Sequence, residues 1–250
     1  MLVALRRGFD DFATLLFPGR CALCRDATPD GDRFCTDCET RLAASEARPQ
    51  CRDCGAPLAM EDAPCQHCLG RGYRLFDEVV NLGVYADPLR PLVHRLKFYH
   101  GWTTGEILAD RAARLPRVRD LLRQTDVLVP VPLHGWRQTV RGFNQADVIA
   151  RRLGRACGVR VRTPVIRLRR TQAQSLLTSR LDRLRNLSGA FAVTRPDTLR
   201  GRRVTLVDDV MTTGATLKAM ARAVATADPA AINVFTIALA DPTGHTFEAV

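Results

Sequence analysis

The chain has 250 residues, enough for one large domain or two unequal ones, and it carries a formal net charge of +11 at pH 7. It contains neither the long apolar run of a membrane span nor the apolar core of an export signal, so we predict a cytoplasmic protein without a membrane span. Nearly all the positive charge is arginine, because Lys97 and Lys218 are the two lysines. Guanidinium groups match phosphate oxygens and favour a polyanionic partner, but a compositional bias toward arginine explains the charge equally well.

The first eighteen residues predict a helix with one apolar side. Apolar residues recur at helical spacing, and charged residues interrupt them too often for a signal peptide. We expect an amphipathic helix over residues 1–18 that docks on the rest of the protein, with contact to a membrane surface as the alternative. Its apolar side consists of Leu2, Leu5, Phe9, Phe12, Leu15 and Leu16.

Eight of the nine cysteines form four Cys-x-x-Cys pairs, all before residue 70. When the first two pairs are shifted along the sequence so that Cys21 aligns with Cys51, they align with the last two pairs. The segment is therefore an internal repeat. Two facing pairs supply the four thiolates that zinc favours, and a filled set leaves no open coordination position for catalysis. The sequence therefore predicts a double zinc ribbon over residues 19–72 with two structural zinc ions. The ligands are Cys21, Cys24, Cys35, Cys38, Cys51, Cys54, Cys65 and Cys68.

The spacing leaves the division of these ligands between the two ions open. A sequential scheme gives the first four cysteines to one ion and the last four to the other, whereas an interleaved scheme mixes them. His67 lies inside the last pair and is an alternative ligand, although a solvated turn residue is the simpler interpretation. A disulfide framework is disfavoured because it needs an oxidising compartment. The ninth cysteine, Cys157, lies in an apolar helical segment, which indicates packing.

Apolar strands alternate with loops and helices from residue 75 onward. This alternation predicts an α/β domain over residues 75–250, with a mostly parallel sheet flanked by helices. Pro116 is expected to stop the second of its helices. The predicted strands cover residues 79–85, 126–129, 203–207 and 231–239, and the predicted helices cover residues 89–98, 107–115, 144–157 and 217–227.

The segment VTLVDDVMTTGAT, residues 204–216, contains the most functional information. An apolar strand delivers Asp208 and Asp209 to the carboxyl end of a sheet, where open α/β folds bind ligands. A loop of threonines and Gly214 then opens a helix, and amides at a helix N-terminus attract phosphate. Acids beside a phosphate cradle suit a ligand with both a diol and a phosphate, such as a ribose 5-phosphate. The alternative is a structural turn with solvated acids.

This segment resembles the 5-phosphoribosyl-1-pyrophosphate (PRPP) signature of type I phosphoribosyltransferases. The resemblance implies that Asp208 and Asp209 form the catalytic pair that binds the ribose hydroxyls. It implies a 5-phosphate cradle and a magnesium ion bound with PRPP, which one of the two aspartates would touch directly or through water. The cradle would consist of Thr212, Thr213, Gly214, Ala215 and Thr216.

The order of segments along nearly the whole chain resembles the ComF family of competence-associated proteins. In that order the cysteine block precedes VPVPLHGWRQTVRGFNQA, then RLRRTQAQSLLTSRLDRLRN, then the PRPP signature. The resemblance implies a type I phosphoribosyltransferase-like domain after a small N-terminal zinc-binding domain. It further implies a pyrophosphate contact at Val131, Pro132, Leu133 and His134, and a closing loop within residues 167–186. Arg141, Arg170 and Arg180 are candidates for phosphate contact, with a solvated basic face as the alternative.

Two functions of different classes fit these residues. The first is a PRPP-dependent transferase acting on an unidentified acceptor, since no base-recognition signature is visible. The second is a non-catalytic protein that senses PRPP or binds single-stranded DNA during DNA uptake, with competence or recombination proteins as partners. A G-x-x-x-x-G-K-[ST] loop and a G-x-S-x-G elbow are both absent from the sequence, which argues against nucleotide hydrolases of that type and serine hydrolases.

Overall fold

The computed structural model describes residues 19–28, 32–70, 72, 75–96, 101–133, 142–168 and 189–240. The predicted helix over residues 1–18 lies outside the described residues, as do His134, Arg141, Arg170 and Arg180. The helices are α1 (Thr36–Glu46), α2 (Leu89–Leu96), α3 (Gly101–Ala112), α4 (Pro116–Arg123), α5 (Gln145–Cys157) and α6 (Ala215–Ala225). The strands are β1 (Gly19–Arg20), β2 (Ala27–Thr28), β3 (Glu78–Val84), β4 (Val127–Pro130), β5 (Arg160–Val161), β6 (Val165–Arg167), β7 (Phe191–Val193), β8 (Arg203–Met211) and β9 (Ala231–Leu239).

The main sheet has five strands in the order β3-β9-β8-β4-β5, and every neighbouring pair is parallel. Because all neighbouring strands are parallel, the carboxyl ends of all five strands lie at one edge of the sheet. This confirms the predicted parallel α/β fold. Strands β6 and β7 form a separate antiparallel ribbon that flanks the segment between residues 168 and 189.

Alternate residues of the central strands build a core on each side of the sheet. Val80, Val207 and Phe235 pack on one side with α2, α3, α4 and α5, and we call this side the first face. Val79 and Leu206 pack on the other side with α6 and the β6–β7 ribbon, and we call this side the second face. Both sides of a parallel sheet are thus buried, which explains why its strands are nearly continuous apolar runs.

The two cysteine repeats lie on different faces of this sheet. Cys21 and Cys38, from the first repeat, belong to the core of the first face. Cys51 and Cys54, from the second repeat, belong to the core of the second face. The chain therefore wraps around the outer edge of β3. We call residues 19–28 and 32–46 the first ribbon, and residues 50–70 the second ribbon.

Hydrogen bonds hold the first ribbon to the first face through buried charges. The Arg111 guanidinium on α3 donates to Glu46 at the end of α1, and its Nη1 lies 2.6 Å from Oε2 of Glu39. The same guanidinium lies 5.6 Å from the ring centroid of Phe34. Glu46 and Arg111 retain only 6% and 10% of their side-chain exposure. An ion pair this buried is costly to break, because removing one partner leaves the other unpaired.

The second ribbon covers the outer edge of β3, which would otherwise expose unpaired backbone groups. The Val79 amide donates to the Arg52 carbonyl at 2.8 Å, and the Asn81 amide donates to the Gln50 side chain at 3.2 Å. The Asn81 side chain donates in turn to the Gly55 carbonyl at 2.8 Å. Gly55 has a φ of +74°, and a Cβ there would lie 2.7 Å from Nδ2 of Asn81. This close approach therefore requires glycine.

Several sequence predictions need correction. Pro116 is not merely a stop: α3 ends at Ala112, and Pro116 begins α4, because proline suits the first turn of a helix. The predicted helix 107–115 begins earlier, at Gly101. The predicted strand 203–207 continues as β8 to Met211, since β9 pairs with it along that length. Helix α1 inside the cysteine block was not predicted at all.

Candidate functional site

The eight cysteine sulfurs form two clusters of four. Cys21, Cys24, Cys35 and Cys38 form one cluster, and Cys51, Cys54, Cys65 and Cys68 form the other. The sulfurs of Cys24 and Cys35 lie 3.6 Å apart, and those of Cys51 and Cys68 lie 3.8 Å apart. A tetrahedral ion with Zn–S bonds of about 2.3 Å needs sulfur separations of about 3.8 Å, so both clusters fit zinc. The sequential division of the ligands is confirmed, and His67 is not a member of either cluster.

The internal repeat is also visible in the backbone of the two clusters. The Cys21 amide donates to the Asp26 carbonyl at 2.8 Å, and the Cys51 amide donates to the Ala56 carbonyl at the same distance. Arg25 and Gly55 occupy equivalent positions and have φ values of 72° and 74°. The first Cys-x-x-Cys pair of each cluster therefore forms the same tight turn, and all four thiolates of each cluster face one another. Such closed zinc-ribbon sites are structural.

The second candidate site lies where β8 meets α6, at the carboxyl edge of the sheet. Asp208 and Asp209 are half-buried residues within β8, and Gly214 precedes α6. The Asp208 side chain accepts from the Asp209 amide at 2.9 Å, and the Asp209 side chain accepts from the Val210 amide at 2.8 Å. These bonds within the strand restrict both carboxylates. The structure therefore holds the two acids at the sheet edge that the sequence predicted.

The Asp208 carboxyl is in an unfavourable place for a negative charge. Burial, followed by the charge of the adjacent Asp209, raises the pKa of Asp208 well above its usual value. The charge of Arg167 on β6 acts in the opposite direction and lowers this pKa, but its effect is smaller. Any cation that approaches this carboxyl therefore stabilises its negatively charged form. Arg167 is thus a member of this site, whereas the sequence analysis assigned it only to the start of the closing loop.

The turn between β8 and α6 contains a polar side chain that lacks a partner. The Oγ1 atom of Thr213 is buried and makes no hydrogen bond with any described residue. Gly214 adopts a left-handed conformation with φ 69° and ψ 10°, which turns the chain sharply into α6. The Lys218 ammonium group donates to the Thr213 carbonyl at 3.3 Å and so lies beside the turn. Lys218 is a second cation that the sequence analysis did not assign to this site.

The remaining cradle residues begin helix α6. Ala215 is buried as its first residue, and Thr216 is half-buried in the same turn, while Thr212 is exposed before it. The amides of a first helical turn have no partner within the helix, and they carry the positive end of the helix dipole. The structure therefore brings the five predicted cradle residues together at a helix N-terminus that can bind an anion.

A loop from the neighbouring strand β4 lies beside these residues. The Val131 amide donates to the Val207 carbonyl at 2.9 Å, which fixes this loop next to β8. Pro132 has no amide hydrogen, so Leu133 carries the first amide beyond Val131 that an anion can use. Asn144 anchors the far end of the loop, because its side chain donates to the Val131 carbonyl and accepts from the Ala146 amide. Val131 and Pro132 therefore shape the loop rather than donate to a ligand.

Two family models match the chain along most of its length. A model described as a double zinc ribbon domain matches residues 12–69, and one described as a phosphoribosyl transferase domain matches residues 119–247. The chain is 35% identical over 217 residues to DNA utilization protein YhgH of Escherichia coli, covering 83% of this chain and 91% of that protein. It is 32% identical to Competence protein F of Haemophilus influenzae, covering 82% of this chain and 90% of that protein. It is also 31% identical to Competence protein ComFC of Bacillus subtilis, covering 78% of each.

Proposed function

The chain belongs to the ComF family, which joins a double zinc ribbon to a phosphoribosyltransferase domain, and we propose on this basis that it binds PRPP with magnesium at the carboxyl end of β8. Within this proposal Asp208 and Asp209 bind the ribose hydroxyls. The turn Thr212, Thr213, Gly214, Ala215 and Thr216 binds the 5-phosphate, and the loop after β4, with Val131 and Pro132, borders the pyrophosphate. The boundaries 1–18, 19–72 and 75–250 are part of the same proposal.

One observation supports this assignment above the others. The site holds the half-buried Asp208 carboxyl beside a second carboxyl, and the buried Thr213 hydroxyl in the following turn has no hydrogen-bond partner among the described residues. Native proteins rarely leave such groups uncompensated, because each costs free energy. A ligand with a divalent cation and a phosphate compensates both, and PRPP with magnesium is such a ligand.

The residues of the chain suggest how phosphoribosyl transfer would proceed. Asp208 and Asp209 position the ribose by its hydroxyls, and the α6 N-terminus fixes the 5-phosphate, so that C1 faces the loop after β4. Magnesium bound with PRPP would neutralise charge on the departing pyrophosphate. Arg167 and Lys218 add fixed positive charge next to the acids and the turn. We propose a PRPP-dependent transferase, with a non-catalytic PRPP sensor as the alternative.

Calorimetric titration with PRPP and magnesium tests the binding proposal. The double variant Asp208→Asn and Asp209→Asn should lose measurable binding, because it removes both diol ligands and both charges. The matched control Asp120→Asn and Asp197→Asn removes two exposed carboxylates and should bind as the wild type does. Unchanged affinity in the Asp208 and Asp209 variant would contradict the assignment.

A screen for pyrophosphate release separates the enzyme from the sensor. Wild-type protein with PRPP and magnesium is incubated with nucleobases, nucleosides, amines and oligonucleotides in turn. Release that requires one acceptor and disappears in the Asp208 and Asp209 variant supports a transferase. Tight PRPP binding without acceptor-dependent release favours the sensor.

The names of the relatives suggest the process in which this site acts. Proteins called DNA utilization protein and competence protein align over most of this chain. We propose that the chain acts in DNA uptake in the cytoplasm, a reducing compartment that keeps zinc thiolates intact, with single-stranded DNA and competence or recombination proteins as partners. Loss of transformation after gene deletion, restored by the wild type but not by the Asp208 and Asp209 variant, is the expected result.

A further inference from the structure

A second cleft opens on the other side of the loop after β4, between the N-terminal part of α5 and the β5 edge of the sheet. Its volume is about 430 Å³, within the range of pockets that hold small molecules. Trp102, Pro132, Phe143, Asp147, Arg151 and Thr163 are among the residues that line it. We call it the β5-edge cleft. Pro132 and Leu133 of the predicted pyrophosphate loop line it, whereas none of the predicted acids or cradle residues on β8 and α6 does.

Aromatic side chains form one wall of this cleft. Trp102, at the start of α3, is 49% exposed, unusually open for so large a side chain. Its ring meets that of Phe143 edge-on, with 6.3 Å between ring centroids and 63° between ring planes. This geometry fixes both rings without stacking one on the other. The wall can therefore offer an aromatic face to a flat ligand.

The opposite wall contains an acceptor that lacks a donor. Oδ2 of Asp147 accepts from Nε of Arg151 at 2.8 Å, but Oδ1 is buried and accepts no hydrogen bond from the described residues. A buried acceptor without a donor costs free energy. A ligand with an amino group or ring N–H would compensate it.

Exposed arginines lie close in sequence to two of the residues that line the cleft. Arg155 lies one turn after Arg151 on α5, and Arg162 is next to Thr163, with Arg160 further back on β5. Within the described ranges, Arg155, Arg160 and Arg162 form no ion pair, whereas Arg151, which lines the cleft, pairs with Asp147. Guanidinium groups left without acids are suited to phosphates.

We propose that the β5-edge cleft binds an unstacked base of single-stranded nucleic acid, with the base against Trp102 and its amino group on Asp147. Arg155 and Arg162 contact phosphates on either side of that base. Aromatic faces combined with basic residues are the usual means of holding single strands, whereas paired bases in a duplex cannot enter such a cleft. The choice of nucleic acid rests on the proposed role in DNA uptake, and the cleft shares Pro132 with the proposed PRPP site but none of its acids or cradle residues.

The full-length, zinc-loaded protein with Trp136→Phe tests the proposal, because Trp102 is then its only tryptophan. Labelled single-stranded 12-mers are titrated by fluorescence anisotropy while Trp102 emission is followed. Emission should be quenched with the same Kd as the anisotropy change. Trp102→Ala should weaken binding about ten-fold and Trp102→Phe much less, since stacking on one ring is lost in the first and largely kept in the second.

Charge variants locate the phosphates. Arg155→Ala with Arg162→Ala should reduce the slope of log K against log salt by about 1.4, which corresponds to two phosphates on a single strand. The control Arg123→Ala with Arg200→Ala removes the same charge from arginines that already have acidic partners, and it should leave the slope unchanged. Asp147→Asn should weaken the binding of oligo(dC) about three-fold, because a neutral amide oxygen is a weaker acceptor for the cytosine amino group than a carboxylate.

Three results would overturn the proposal: binding without quenching of Trp102, full affinity in Trp102→Ala, or equal affinity for a duplex of the same length. The Asp208 and Asp209 variant should keep its affinity for oligonucleotides, and Trp102→Phe should keep its affinity for PRPP. Failure of one site is thereby distinguished from failure of the other.

Discussion

Glu46 and Asp208 are both acids in places that disfavour charge, and they differ in what faces them. Glu46 faces the Arg111 guanidinium at the contact between the first ribbon and the sheet, whereas Asp208 faces a second carboxyl at the end of β8. Burial raises the pKa of both carboxyls. The first region satisfies its buried charges internally, whereas we propose that a ligand balances the charge in the second. The following predictions test this contrast.

Zinc removal should have the largest effect. Binding of a structural zinc is worth on the order of 10 kcal/mol, as much as the whole stability of a typical domain. Cys38→Ser and Cys54→Ser should each lose one zinc, with hydrogen exchange rising around α1 and α3 in the first variant and along β3 in the second. Cys157→Ser, outside both clusters, should keep two zinc ions and native exchange. If both cysteine variants lost hydrogen-exchange protection equally and throughout the protein, the two ribbons would not be independent attachments to the sheet.

Breaking the buried ion pair should have the next largest effect. Arg111→Met leaves Glu46 buried without its partner and should destabilise the protein by about 3–5 kcal/mol in urea unfolding. Arg123→Ala, which breaks an exposed pair, should cost about 0–1 kcal/mol. PRPP binding of folded Arg111→Met should remain unchanged. A small loss of stability would mean that this pair is not the attachment we describe.

Substitution of Asp208 should do the opposite and stabilise the protein without ligand. The folded state keeps the Asp208 proton to a higher pH than the unfolded chain does, so folding stability falls as the pH rises above the ordinary carboxyl pKa of about 4 toward the raised one. Asp208→Asn removes this loss. Its Tm without magnesium or PRPP should exceed that of the wild type near neutral pH, and the difference should shrink toward about pH 4. If Asp208→Asn had a lower Tm than the wild type at every pH, the proposed contrast between Asp208 and Glu46 would be wrong. Asp197→Asn is the control, because the Asp197 carboxyl is exposed.

Thr213→Val should have the smallest effect on stability. The substitution keeps the shape of the side chain and removes a buried hydroxyl without a partner, so it should stabilise the unliganded protein by up to about 1 kcal/mol. The same change should weaken PRPP binding, because the hydroxyl is then missing from the cradle. Thr198→Val is the comparison, since that hydroxyl donates to the Arg195 carbonyl at 2.7 Å. It should destabilise slightly and leave binding unchanged.

Local patterns predicted the parallel sheet, the eight cysteine ligands and the position of the acid pair, but they left the division of the ligands between two sites open. Cysteine spacing and apolar runs are properties of neighbouring residues, so they can be recognised without the fold. The pattern could not show that Cys21 and Cys51 lie on opposite faces, because that depends on how the chain passes the edge of β3. Arg111 and Glu46, far apart in sequence, show no pairing signal, and the same holds for Arg167 and Asp208. The sequence analysis underestimated the length of β8, because pairing with β9 extends this strand beyond its apolar run.

The position of the second ribbon on β3 has a consequence for biosynthesis. Strand β3 is an apolar strand whose partner in the sheet, β9, is translated last among the described strands. Until β9 leaves the ribosome, β3 has no sheet neighbour, and an unpaired apolar strand readily joins other chains. The second ribbon precedes β3 and supplies hydrogen bonds to its other edge as soon as zinc is bound. We therefore expect the early zinc sites to reduce aggregation of the nascent chain before β9 is made, so zinc depletion during synthesis should increase the insoluble fraction.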